Sequence, residues 1–199
     1  FDPGHNNYNN SSESETDFIV LIPDVGAVVM EAKSGIVQFK TESFTYKGKQ
    51  YPPYSWVYES GVPMKHGGPF RQARDEVHNL RTFMENRGFF WASYRMRIFS
   101  AVWFMSINDK QANALKCTSD GPRETILTFD ALSEPRAAIL KVVDFEAKME
   151  KRYFNEEKER LYGGGALSRK ELSSLINDCL YTGLNIIPTK HWLIDVENM

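Results

Sequence analysis

Residues 14–35, SETDFIVLIPDVGAVVMEAKSG, constrain this chain more than any other stretch. One apolar run opens with Asp17 and breaks at Pro23-Asp24-Val25-Gly26; a second returns and ends in Glu31-Ala32-Lys33. Two strand-like runs joined by so short a turn pair as an antiparallel hairpin. Counted symmetrically about the turn, opposed residues have numbers summing to about 48–50, which sets Asp17 across from the end that carries Glu31 and Lys33.

That register brings two carboxylates and an ammonium to the open mouth of a hairpin otherwise made of Ile, Val, Leu, Phe, Ala and Met. Unpaired charge on such an element costs several kcal/mol, so these groups either pair or hold a metal. Glu31 and Lys33 are two apart and share one strand face. Two readings fit the residues: a structural ion pair of Asp17 or Glu31 with Lys33 at the rim of a sheet, or a site with two hard oxygen ligands for Mg²⁺ or Mn²⁺. In the second, the lysine stabilises charge developing on a phosphoryl group or orients the attacking water.

Asp17, thirteen intervening residues, then Glu31-Ala32-Lys33 resembles the D…ExK signature of the PD-(D/E)xK nuclease superfamily. More narrowly, ETDFIVLIPDVGAVVMEAKSG resembles the nuclease-related domain (NERD), found alone or joined to DNA helicases and other modules. The resemblance implies a restriction-endonuclease-like α/β three-layer sandwich with a mixed central β-sheet flanked by helices. It implies a metal-dependent DNA phosphodiesterase of DNA processing or defence, with Mg²⁺ (or Mn²⁺) held by Asp17, Glu31 and the Ala32 carbonyl and with Lys33 as the catalytic ammonium. The alternative is a catalytically silent nuclease-like domain that binds DNA or a helicase domain or subunit. In the family a helix with an acidic residue and then a strand precede the Asp strand. Only a stub of that strand, around Phe1-Asp2, is in this sequence, and Glu15 is the available substitute carboxylate. The family also has a Gln at the start of a later helix, after a Pro-containing segment. Gln72, following Gly68-Pro69-Phe70, matches it and implies an orienter in the site. Related exonucleases follow that Gln with Tyr four residues on, where this chain has Glu76.

Composition limits the partners. The chain has 199 residues, 42% hydrophobic and 25% charged, with a formal net charge of -2, so any DNA contact must come from a local basic patch. Cys117 and Cys179 match neither zinc spacing nor a disulfide framework and read as free buried thiols, which points to a reducing, cytoplasmic setting. No apolar segment approaches the ~18 residues that span a bilayer. The four histidines, His5, His66, His78 and His191, form no ligand motif.

The sequence divides into a flexible N-terminal loop at 1–14, a nuclease-like core at 15–130, and a C-terminal helical extension with a closing strand at 131–199. Residues 36–46 read as a strand or hairpin with a turn at Lys47-Gly48, and 51–68 as a long irregular connection. Lys40, Lys47, Lys49 and Lys65 are interleaved with Tyr46, Tyr51, Tyr54, Trp56 and Tyr58, which suits either a nucleic-acid groove or loop anchoring. Residues 70–86 read as a helix with an apolar stripe at Val77, Leu80, Phe83 and Met84. A buried strand is expected at 100–106, preceded by an edge or loop with Arg95 and Arg97, and a short strand at 126–129. Ser133 caps a long charged helix over 134–161. Ser168 and Glu171 form a capping box for a helix to about residue 180, and 185–194 reads as an edge strand interrupted by Pro188.

Overall fold

The computed structural model describes residues 16–117, 120–153 and 166–181. The expected N-terminal loop, Glu15, residues 154–161 of the expected charged helix and the closing strand lie outside them.

The opening hairpin forms as the turn chemistry dictates. β1 (Phe18–Ile22) pairs antiparallel with β2 (Gly26–Lys33), with Phe18 opposite Met30 and Ile22 opposite Gly26. The Val25 N–H donates to the Ile22 carbonyl across the turn, where Asp24 takes a left-handed φ of 60°. β2 is buried from Gly26 to Glu31, because β7 (Ile98–Phe104) pairs parallel on its other edge and helices cover both faces. Burying each of Val28, Val29 and Met30 stabilises the sheet by about 1.5–3 kcal/mol. β8 (Ile126–Thr128) adds parallel to β7, giving a mixed four-stranded sheet in the order β1-β2-β7-β8.

Alternation along β2 separates two cores. Ala27 and Val29 face helix α1 (Pro69–Asn86) through Leu80 and Met84, whereas Val28 and Met30 face helix α4 (Pro135–Tyr153) through Val142 and Val143. The protein is therefore mixed α/β, with a mixed central sheet between helices. Helix α5 (Arg169–Ser174), continued by a π-helical turn (Leu175–Leu180), adds Leu172, Leu175 and Cys179 to the α1 side. The Ser168–Glu171 capping box is present as expected. Ser133 does not cap α4; it ends a 3-10 turn (Phe129–Leu132) in helical conformation and donates its hydroxyl to the Asp130 carbonyl.

Two segments depart from the sequence reading. Within 51–68, β6 (Ser55–Tyr58) is a strand paired antiparallel with β3 (Val37–Lys40). The prolines before it suggested a loop, yet burial of Trp56 and Val57 decides the conformation. Between β3 and β6 lies a second ribbon, β4 (Phe44–Tyr46) and β5 (Lys49–Tyr51), turning at Lys47-Gly48. The other departure is α2 (Phe90–Arg95), a helix where the aromatic composition suggested an edge or loop. Its small residues, Ala92 and Ser93, are buried, and the Arg81 guanidinium donates to the Ser93 and Met96 carbonyls at its C-terminal end. The strand that follows starts at Ile98, two residues earlier than expected.

Helix α1 fixes one wall of the site. Its N-cap, Gly68, has φ 94° and lies against the Trp56 indole, where a Cβ would come within 2.3 Å of Cδ1. This close approach seats the first turn of α1 beside β6. Its buried stripe, Phe70, Ala73, Glu76, Leu80 and Met84, is apolar except for one carboxylate.

Candidate active site

The hairpin register places Asp17 just before β1, opposite the end of β2. Its Oδ2 accepts the Ala32 N–H at 2.7 Å, standing where a further β1 carbonyl would continue the ladder. In a strand the N–H and C=O of one residue point to the same neighbour, so the Ala32 carbonyl is carried to the Asp17 side. Glu31 and Lys33 point to the opposite side of β2's plane from Ala32, toward α1, and Lys33 Nζ donates to Glu31 Oε1. The ion pair read from the sequence is thus present between Glu31 and Lys33, and Asp17 is engaged by main chain.

Gln72 meets this group from the first turn of α1. Its Nε2 donates to the Lys65 carbonyl at 2.9 Å, while its Oε1 is buried without a hydrogen-bond partner. Such an orphaned acceptor is rare in native proteins and marks a place for a water or ligand.

Glu76, which entered the sequence reading only as a departure from a Gln-to-Tyr spacing, is the site's further acid. It is 8% exposed and accepts a hydrogen bond from the Thr16 hydroxyl, so it bridges α1 to the residue before Asp17. The signal that could have found it is the α1 stripe, in which a carboxylate occupies a core position between Ala73 and Leu80.

Asp17, Glu31, Ala32, Lys33, Gln72, Asp75 and Glu76 line one open cleft of about 640 Å³, together with Tyr58, Lys65 and His66. That volume lies in the range of small-ligand sites. Burial raises the Glu31 carboxyl above its ordinary value, the Lys33 ammonium pulls it back, and the like charges of Asp17 and Glu76 raise it again. With four carboxylates against two lysines, the cleft repels a phosphate unless a cation is also present.

The donor set consists of hard oxygens and suits Mg²⁺ or Mn²⁺. Among the described residues no group of three or more His, Cys, Asp or Glu side chains converges on one point. Mg²⁺ does not require such a cage, because it is typically held by one or two carboxylates, waters and substrate phosphate. Asp17 accepts the Ala32 N–H through Oδ2 and Glu31 accepts from Lys33 through Oε1, and each carboxylate has further lone pairs for a metal. The group therefore fits the residues present.

Cys117 and Cys179 are buried thiols in separate cores, and neither lines this cleft. His66 and His78 are exposed, and only His66 lines the cleft. No described helix is long and apolar enough to cross a membrane. No protein-family model matches the chain, and the comparisons with curated proteins and with solved structures find no match.

Proposed function

We propose that this cleft hydrolyses DNA phosphodiester bonds with Mg²⁺ or Mn²⁺, as a nuclease of the PD-(D/E)xK type related to the NERD domain. One observation carries the reading: Asp17, Glu31 and Lys33, the residues of the D…ExK pattern, line a single cleft together with Gln72. The fold is consistent with a restriction-endonuclease-like sandwich, since an antiparallel hairpin leads into parallel strands with helices on both faces.

Asp17, Glu31 and the Ala32 carbonyl would hold the metal, which supplies charge neutralisation and Lewis-acid activation of the scissile phosphoryl group. Lys33, tethered by Glu31 at the cleft floor, presents its ammonium to the negative charge that builds on the phosphoryl oxygens. Gln72 Oε1 accepts an O–H from the attacking water and orients its lone pair, which satisfies the otherwise orphaned acceptor. Glu76 ties α1 to Thr16 beside Asp17 and adds to the negative field of the cleft. The test is Mg²⁺-dependent cleavage of linear and circular DNA: Glu31→Ala and Lys33→Ala abolish it while the circular dichroism of each variant stays that of the folded protein. Cleavage that persists in both refutes the assignment.

A second reading is favoured by the Glu31–Lys33 pair and by Glu76 in place of the Tyr of related exonucleases: a silent domain of this fold that docks DNA or a helicase partner. It predicts no Mn²⁺-induced thermal shift that depends on Asp17 and Glu31, whereas the nuclease reading predicts one.

A further inference from the structure

We infer that the β4–β5 ribbon is a duplex-DNA contact that grips phosphates outside the cleft; this rests on the reading of the cleft as a DNA-phosphodiester site. The ribbon joins no core cluster, and its residues are exposed or half-buried throughout. Segment 37–54 carries Lys40, Lys47 and Lys49 against one acid, Glu42, in a chain whose net charge is -2. Among the described residues none of the three lysines has a carboxylate partner. The local positive charge is therefore uncompensated and turned to solvent.

Its aromatics hold that charge in place instead of offering open faces to bases. Phe44 and Tyr51 stack on each other at 5.2 Å between centroids. The Lys47 ammonium lies 5.5 Å from the Tyr46 ring centre and that of Lys49 5.4 Å from Tyr51. Rings already covered by lysines and by each other are poor stacking platforms, which separates this ribbon from single-strand grooves that bind by stacking. A two-stranded ribbon with lysines on its turn instead suits the grooves and backbone of a duplex. The turn itself is built for display: Lys47 at φ 48° and Gly48 at φ 76° form a two-residue hairpin turn of the primed type. Lysine is not among the residues favoured there, so its presence calls for a role beyond the turn.

Topology connects the ribbon to the chemistry. β3 follows directly from the Lys33 end of β2, with Val37 opposite Tyr58, a residue of the cleft wall. The β4–β5 ribbon leaves from the other end of the β3–β6 pair, past Lys40 and Ser55, about 10 Å along the strands. A duplex with one phosphodiester in the cleft has neighbouring phosphates over such a span.

Fluorescence anisotropy with a 24-base-pair duplex and the matching single strand, in EDTA so that no cleavage occurs, tests the inference. Wild type binds the duplex more tightly than the single strand. Lys47→Gln/Lys49→Gln loses on the order of 10-fold in duplex affinity per lysine at 0.1 M salt and lowers the slope of log K against log salt by about 1.8. Lys47→Glu/Lys49→Glu loses more. Both substitutions sit at exposed positions, and an unchanged melting temperature verifies the fold. Duplex that binds but is never cleaved with Mg²⁺ removes the nuclease reading and leaves the ribbon's role standing. Unchanged affinity and salt slope in the double variants, a preference for single strand, or no duplex binding by wild type overturns the inference.

Discussion

Replacing Lys33 with Met leaves Glu31 at the cleft floor among like charges, and the consequence depends on whether metal is present. In wild type the pair's side chains are 16% and 9% exposed, much nearer a buried ion pair than a surface one. Breaking a fully buried pair from one side costs about 3–5 kcal/mol, whereas an exposed pair is worth about 0–1. Glu31 has an escape, because its carboxyl already titrates above its ordinary value and can take up a proton when the lysine is gone. The expected loss without metal is thus about 2–3 kcal/mol, a fall of about 5–10 °C in Tm for a chain of this size. Mg²⁺ at about 100 times its Kd returns about 2.7 kcal/mol, because it supplies the positive charge that Lys33 supplied. Thermal melts in EDTA and in a Mg²⁺ series therefore show a larger metal-induced rise for Lys33→Met than for wild type, and none for Glu31→Gln. Equal metal shifts in wild type and Glu31→Gln place the cation elsewhere and refute the reasoning. So does a Lys33→Met protein as stable as wild type in EDTA.

Gln72→Met removes a buried, unpartnered oxygen and also the bond to the Lys65 carbonyl, so stability in urea stays within about 1 kcal/mol. Cleavage rate under the same substitution falls about 10- to 100-fold if Gln72 orients the water. Gly26→Ala places a Cβ 2.3 Å from the Arg97 carbonyl oxygen at φ 149°, and neither backbone can give way. It costs about 3 kcal/mol, read as a lower urea midpoint with the m-value unchanged. Glu171 is held at about 2, below its ordinary 4.5, by the Ser168 main-chain N–H and then by Arg95 and the Ser168 hydroxyl. Its ionised form therefore contributes stability that is fully present above pH 4.5 and is lost as the pH falls toward 2. Because this side chain keeps a third of its surface exposed, Glu171→Gln lowers Tm only modestly at pH 7 and flattens the acid limb of the Tm–pH curve.

The parts legible in the sequence were those set by near neighbours. The hairpin register followed from a short turn between two apolar runs, and Phe18 opposite Met30 realises a sum of 48. Helix α1 and the Ser168–Glu171 box carried their own start signals. α2 and β6 were misread because local composition pointed the wrong way. Aromatic residues on α2 face outward while Ala92 and Ser93 pack inward, and the prolines before β6 precede a tryptophan that the core requires.

The same division runs through the cleft. Sequence alone determined that Asp17 meets the Glu31 and Lys33 end, because the short turn between two apolar runs sets which residues of the antiparallel pair oppose each other. Only the tertiary structure decided what faces that end. Parallel pairing of β2 with β7 and the seating of α1 on both strands brought Gln72 and Glu76 to the cleft. The helical stripe could mark Glu76 as a core-facing position, but not what it would face. A carboxylate on a helix is ordinarily solvated, and it becomes a buried member of the cleft only when the fold sets that helix face against Glu31 and Thr16.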